Sequence, residues 1–338
     1  MWIQNDVSAQ PYNTFGINNY FKTLIGVDKV SDLFYIKEIL KEPTTRILGG
    51  GSNILLVEPN VHPVILIDIK GIGVIKEEAE YALVQFGAGE VWHDAVQWAI
   101  ANQYGGIENL SLIPGKCGAA PMQNIGAYGV EIKDILHSVT AYDTQSGSEL
   151  VFHNEECGFG YRTSHFKSKW KGRLIISSII LKLSTKGYHT LNSSYGAVAK
   201  QLEERGISNP TIEDLGDVIS DIRRQKLPDP KLLGNSGSFF KNPIIAESVA
   251  SQLQATYVNM PTYDAGVGEK KLSAGWLIDK CGLKGKRVGE TGTYKNQALV
   301  LVNHGKATGK NILDFSKDVQ DSVKETFGIE LEPEVNIW

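Results

Sequence analysis

Apolar positions recur at helical spacing in several stretches of this chain. Leu33, Ile36, Ile39 and Leu40 share one side of residues 32–40, where Ser31 can cap the start. Val91, Ala95, Trp98 and Ala99 stripe residues 91–103, and Ile212, Leu215, Val218, Ile219 and Ile222 do the same over 211–224. A long helix is expected over 312–327, with Ile312, Phe315, Val319, Val323 and Phe327 aligned and Gly328 as its stop. Shorter helices fit 246–255 and 273–281, and compact apolar runs predict strands at 45–48, 54–57, 64–67, 81–86, 174–183, 298–302 and 329–338. Strands and helices are thus interspersed, as in stacked α/β units. Residues 107–130, rich in Gly, Pro, Ala and Asn, have neither period, and their apolar content argues against disorder. A polar loop carrying Tyr195 begins at Lys186.

Composition narrows the classes. A length of 338 residues implies two or three packed units. With 42% apolar and 21% charged residues the chain is of ordinary globular make-up. A net charge of −4 with scattered Lys and Arg gives no nucleic-acid signature. Cys117, Cys157 and Cys281 are far apart, and the seven histidines form no HxxxH or HExxH pair, so neither a disulfide framework nor a metal site is expected. The N-terminal segment has no basic start or apolar run, and residues 174–183 are too short to span a bilayer. The expectation is a cytoplasmic protein with no membrane or nucleic-acid partner.

Candidate chemistry lies in five places. Gly49, Gly50 and Gly51, followed by Ser52 and Asn53, end a predicted strand; their amides could cradle a diphosphate, or they could form a plain tight turn. They do not complete a G-x-G-x-x-G fingerprint, since Ile54 stands where the third glycine belongs. The segment 113–131, IPGKCGAAPMQNIGAYGVE, could wrap a flat ligand or be an ordinary packed loop. Arg162 in FGYR could clamp a carboxylate or sit on the surface. Ser238 in GNSGSFFKNP is either a turn serine or a proton donor, with no hydrolase-type base partner in the sequence. Glu330, Glu332 and Glu334 alternate on the last expected strand, where acids are usually solvated, and Pro333 marks an edge or a bulge.

The order of the motifs is more telling than any one of them. NTFGI, GGGSNIL, IPGKCGAAPMQNIGAYG, GYR, KLPDPK, GSFFKNP, SAGWLID and PEV follow one another from about residue 12 to 337. This series resembles the UDP-N-acetylenolpyruvoylglucosamine reductases, in the longer type with a tyrosine-bearing loop. The resemblance implies an α+β chain: an FAD-binding fold of the PCMH / vanillyl-alcohol-oxidase type, built from two α/β subdomains, plus a C-terminal α/β substrate-binding domain. Its expected bounds are 1–70 and 71–226 plus 328–338 for the two FAD-binding subdomains, and 227–327 for the substrate domain. It further implies non-covalent FAD, held by Gly49, Gly50, Gly51, Ser52 and Asn53 and by Ile113, Pro114, Gly115, Gln123, Asn124, Gly126, Ala127 and Tyr128. Arg162, Ser238 and Glu334 fall on the family's catalytic positions. Tyr195, Lys226, Asn242, Tyr263, Lys284 and Gln297 fall on its substrate-contacting positions. Asn336 stands where the family commonly has arginine, so Arg223 or a backbone donor is expected to replace that flavin contact; Ala119 stands where a serine is common.

The implied reaction reduces an enolpyruvyl ether on a UDP-sugar, with NADPH as co-substrate and a monomeric enzyme. Negative charge develops beside the substrate carboxylate, which calls for a fixed cation, Arg162, with Glu334 protonated or orienting it, and for a proton, from Ser238. No second dinucleotide fingerprint is visible, so NADPH and sugar nucleotide are expected to use one pocket in turn. Two other functions share these motifs in part: a flavin oxidase acting on an alcohol or sugar, and a non-catalytic nucleotide-sugar binder. The first commonly links FAD to a histidine, yet 49–53 and 113–129 contain none; the second would be expected to lose catalytic positions that are all present here.

Overall fold

A computed structural model describes residues 1–338. Two compact units emerge from its chain contacts: one is 1–7, 21–51 and 60–223, the other 8–20, 52–59 and 224–338.

The first unit holds two larger sheets and a two-stranded one. In one, Tyr20–Val27 and Arg46–Leu48 flank Asn60–Ile67 and both run parallel to it, with Trp2–Ser8 at the edge. Parallel strands need a crossover, and the chain between the flanking strands turns helical at Val30–Tyr35 and Lys37–Leu40. The other sheet is antiparallel, ordered Glu149–His153, Leu136–Asp143, Leu174–Ser184, Tyr81–Gly87 and Ile72–Glu77. Val84, Phe86, Ile179 and Leu181 from this sheet share one core with Ala95, Val96 and Ala99 of helix Trp92–Ala101. A smaller core joins Val198 and Leu202 of helix Gly196–Glu204 to Leu215, Val218, Ile219 and Ile222 of helix Ile212–Lys226. Tyr128 and Leu191 pack against that second core.

The second unit has a four-stranded sheet, ordered Gly234–Ser238, Val300–Asn303, Thr291–Thr293 and Arg287–Val288. Beside it in the chain come a three-stranded sheet, Ile244–Ala246, Glu269–Leu272 and Thr262–Gly266, and the helices Glu247–Thr256 and Ala274–Lys280. Helix Gly309–Phe327 starts at a reciprocal cap: Thr308 N–H donates to Asn311 Oδ1 at 3.0 Å and Asn311 N–H to Thr308 Oγ1 at 3.1 Å. It stops at Gly328, left-handed at φ 68°, as the sequence predicts.

Three expectations need correcting. The helix over 32–40 is two pieces, broken at Ile36, and begins at Val30; Asp32 rather than Ser31 caps it, accepting from Asp28 and Lys29 N–H groups at 3.0 and 3.2 Å. The terminal strand over 329–338 is not continuous: Pro333 makes one isolated bridge to Phe240, and Asn336–Ile337 alone pairs, parallel to Ile54–Leu55. Proline removes a ladder donor in the middle of the run. Strands Trp2–Ser8, Leu136–Asp143 and Glu149–His153 had no counterpart among the predicted elements. No helix is long and apolar enough to cross a membrane.

Candidate active site

In the first unit, the glycine run leaves strand Arg46–Leu48 and lies against the loop that begins at Ile113. A side chain on Gly50 would come within 3.1 Å of Gly115 Cα and 3.6 Å of Lys116 N, so two backbones approach here as only glycine allows. Gly51 turns the chain away at φ 65°. Gly49 is half-buried and Gly50 exposed, and their amides take part neither in strand pairing nor in turn hydrogen bonds. Lys116 pins the facing loop: its ammonium donates to Ile67 O at 2.9 Å and to Asp68 at 2.8 Å. Lys116 is not among the site residues expected from the sequence.

The rest of that loop coils through Cys117–Gln123 and closes in a miniature hairpin, Gly126–Ala127 against Val130–Glu131. Its two turn residues, Tyr128 and Gly129, both have positive φ, 49° and 84°, the signature of a tight I′ turn. A left-handed tyrosine costs about 1–3 kcal/mol, and such strain tends to persist where surrounding contacts hold a functional residue. Asn124 is fully buried, and its side chain bonds Glu131 at 2.9 Å, Gly160 O at 3.2 Å and Lys133 N–H at 3.2 Å. Its side-chain amide therefore supports the loop. Gln123 accepts from Lys167 at 3.4 Å.

Arg162 sits in a two-residue turn between bridged Gly160 and Thr163, itself left-handed at φ 53°. Its guanidinium donates to Asn124 O at 3.4 Å and Gly126 O at 3.2 Å, two carbonyls of the coiled loop. Arg223, on helix Ile212–Lys226, donates to Leu112 O at 3.3 Å and hydrogen-bonds Tyr128. Burial pulls Arg223 below the usual arginine range; the Tyr128 hydroxyl opposes this and the Arg162 charge adds to it. Burial likewise raises Tyr128 above the ordinary phenol value. Two guanidinium groups beside one loop, one of them desolvated and unneutralised, fit an anionic ligand. Tyr195, half-exposed at the start of helix Gly196–Glu204, meets the Tyr128 ring edge-on at 5.5 Å.

In the second unit, strand Gly234–Ser238 is irregular. Asn235 pairs with Val302 and Ser238 with Val300, so two residues on one strand are set against a single intervening residue on the other. Gly237 takes φ 71° there, and its N–H is held by Asn235 Oδ1 at 2.9 Å. The bulge leaves Ser238 exposed while Phe239 and Phe240 behind it are fully buried. The terminal segment runs alongside: Glu334 N–H donates to Phe239 O at 2.8 Å and Lys241 N–H to Glu332 O at 2.9 Å. Ser238 and half-buried Glu334 are thus brought together on adjacent backbones, whereas Glu330 and Glu332 are exposed partners of Lys324 and Lys241. Asn53 donates to Glu334 O at 3.3 Å, and its carbonyl accepts from Asn336 N–H at 3.1 Å and from the Asn336 side chain at 2.9 Å. Asn53 therefore anchors the segment bearing Glu334.

The expected substrate contacts are gathered only in part. Asn242 accepts from Ala274 N–H at 3.0 Å, and Gln297 Oε1 lies where a Cβ on Gly275 would come within 2.7 Å, so both meet the start of helix Ala274–Lys280. Tyr263 is half-exposed on Thr262–Gly266, opposite Lys271; Lys284 pairs with Asp279 at 3.4 Å; Lys226 is the exposed end of its helix. No three His, Cys, Asp or Glu side chains group as a metal site.

Known proteins match this chain along its whole length. A model of the UDP-N-acetylenolpyruvoylglucosamine reductase C-terminal domain matches residues 229–338, and one of an FAD binding domain matches 36–152. A UDP-N-acetylenolpyruvoylglucosamine reductase of Flavobacterium johnsoniae is 50% identical over 340 residues, covering 100% of both chains. That of Pseudomonas aeruginosa is 44% identical and covers 99% of each. Among solved structures, the reductase of Thermus caldophilus is 26% identical, covers 100% of both chains and superposes with a TM-score of 0.71. These matches bear out the expected α+β class with its FAD-binding domain and C-terminal domain. Identity at this level, unbroken from the glycine run to the segment bearing Glu334, means that the chain belongs to the UDP-N-acetylenolpyruvoylglucosamine reductase family.

Proposed function

We propose that this chain reduces the enolpyruvyl ether of UDP-N-acetylglucosamine to UDP-N-acetylmuramate for peptidoglycan synthesis, using non-covalent FAD and NADPH, and that Arg162, Ser238 and Glu334 carry the chemistry. The reading assigns cofactor binding to 1–70, 71–226 and 328–338, and substrate binding to 227–327. The relatives named for this reaction support the activity, and the FAD-domain match at 36–152 supports the cofactor.

The residues present suit FAD. The Gly49–Gly51 run and the facing Gly115 backbone offer amides at a close approach suited to a diphosphate, and Arg223 offers an unneutralised cation to the anionic cofactor. Cys117, in the same loop, is fully buried with its thiol pushed up by burial, so it offers no thiolate for a covalent link. When bound, FAD supplies to the substrate the hydride it has taken from NADPH.

The substrate's terminal methylene becomes a methyl group, and negative charge develops on the adjacent carbon and spreads into its carboxylate. Arg162, whose guanidinium is steadied by two loop carbonyls, stabilises that charge. Ser238 delivers a proton to the charged carbon and recovers its own from water, since its hydroxyl is exposed. Glu334 assists at the same carboxylate, either as a protonated second donor or by orienting Arg162. Lys226, Lys284, Tyr195 and Tyr263 hold the diphosphate of the sugar nucleotide, with Asn242 and Gln297 positioned at one helix start. NADPH enters the same pocket before the sugar nucleotide. We place the enzyme in the cytoplasm, in keeping with three free thiols, and take it to act as a monomer.

The observation that carries this reading is the hydrogen bond from Glu334 N–H to Phe239 O, which sets an acid beside an exposed serine on a bulge. The purified protein should be yellow, release FAD on denaturation, and oxidise NADPH when the enolpyruvyl UDP-sugar is added. A colourless protein, or one that consumes oxygen with a simple alcohol and ignores the UDP-sugar, would refute it.

A further inference from the structure

We infer that Asn109 is a positioning residue that clasps the Tyr195-bearing segment to the cofactor loop. It lies in the turn Glu108–Leu110 and is 1% exposed. Its side-chain amide donates in two directions, to Tyr128 O at 3.0 Å and to Asn192 O at 2.8 Å. Asn192 answers from the other side, donating to Gly129 O at 3.0 Å. Three bonds therefore tie the stretch just before Tyr195 to the two turn residues of the miniature hairpin. The fit is close: a Cβ on Gly129 would come within 3.0 Å of Asn192 Nδ2, and the φ of 84° there favours glycine.

The clasp fixes more than backbone. Tyr128 spends its hydroxyl on Arg223 and its ring edge on Tyr195, and with Leu191 it packs on the small helical core. Without the clasp, the left-handed Tyr128 has fewer contacts to offset its strain, and the stretch from His189 to Tyr195 keeps the His189–Ser184 bond, Leu191 and the ring contact but loses its ties to the hairpin. Both amide protons of Asn109 are used on carbonyls, which neither aspartate nor an aliphatic residue can reproduce. Asn109 thereby sets the resting position of Tyr195. This rests on the reading of Tyr195 as a contact to the sugar nucleotide.

The test uses the full holoenzyme with NADPH and the enolpyruvyl UDP-sugar. Asn109→Leu and, on the half-buried side of the clasp, Asn192→Ala should each raise KM for the UDP-sugar, roughly threefold to tenfold, for the loss of one or two hydrogen bonds. In both, kcat should stay within about twofold, and the bound-flavin spectrum should be unchanged, which a general loss of structure would not allow. Trypsin should cut faster at Lys186 or Lys200, the lysines bracketing the segment. Should Asn109→Leu fail to fold, Asn192→Ala decides. Tyr195→Ala separates the two ideas. If it raises KM while Asn192→Ala changes neither KM nor cleavage, the clasp is wrong. If Tyr195→Ala leaves KM untouched, the substrate reading of Tyr195 falls, and accelerated cleavage alone sustains or refutes the clasp.

Discussion

Glu334 N–H is bonded to the carbonyl of Phe239 at 2.8 Å, so the acid is held one residue along from Ser238 by the backbone itself. Side-chain changes at either position leave this pairing in place, and Ser238 is exposed. Ser238→Ala should therefore fold as the parent does. Its flavin should be reduced by NADPH at nearly the parental rate, while reoxidation by the UDP-sugar slows by about a hundredfold or more, as expected when a positioned acid is lost. Rapid mixing of each half-reaction separates the two. Equal loss in both would show that Ser238 is not the proton donor.

Arg162 combines a charge with geometry. Its two carbonyl contacts, Asn124 O and Gly126 O, steady the guanidinium fork. Lysine keeps the charge and loses the fork. Arg162→Lys should lower kcat for reduction of the UDP-sugar by on the order of a hundredfold to a thousandfold, the cost of one preorganised donor at a developing anion. FAD content, read from the absorbance ratio of the purified variant, should stay near one per chain. A kcat within threefold of the parent would remove Arg162 from the mechanism.

The fold was legible where one period dominated and a cap marked its end. Helix Gly309–Phe327 has five aligned apolar residues, a Thr308–Asn311 cap and Gly328, and all local signals agree there. Strand Leu136–Asp143 was missed because it is paired on both edges and buried on most positions, so LHSVTAYD lacks alternation. The terminal run failed in the opposite sense: ELEPEVN alternates, yet Pro333 prevents a ladder. At the site, the order of motifs proposes the residues, but spacing could not say what each side chain does. The Asn124 side chain is spent on Glu131, Gly160 and Lys133, and that of Asn53 bonds the backbone carbonyl of Glu334. Asn109 left no trace in the pattern, since its partners are backbone carbonyls at positions 128 and 192.

Arg223 offers a prediction with two opposite signs. Its guanidinium is shielded from water, feels the Arg162 charge, and has the Tyr128 phenol and the Leu112 carbonyl for partners. Such a charge costs stability until an anion arrives. Arg223→Met keeps the stem and removes the charge, so the FAD-free protein should melt no lower than the parent. FAD should bind more weakly by about tenfold to a hundredfold, the value of one charge-assisted hydrogen bond. Melting of the FAD-free proteins and titration with FAD check the two halves. A variant that melts far lower while binding FAD normally would make Arg223 a structural residue.

The segment leading to Tyr195 also carries a pH response. His189 bonds Ser184 through Nδ1 at 3.0 Å, while its Nε2 is buried without a partner. Burial holds this imidazole below its ordinary value of 6.5, outweighing the attraction of Glu213. His304 is depressed too, by burial first and by Arg287 second. A histidine kept neutral by folding binds its proton more readily in the unfolded chain. Between the depressed folded value and 6.5 the unfolded state therefore holds more protons, and stability falls as pH is lowered through that window. Above 6.5 this contribution is fully present and flat. The midpoint of urea unfolding should thus decline from pH 7 toward pH 5, and His189→Gln should lessen the decline without abolishing it, since His304 remains. An identical slope in parent and variant would mean that His189 is freely protonated in the folded protein, and that burial does not govern it.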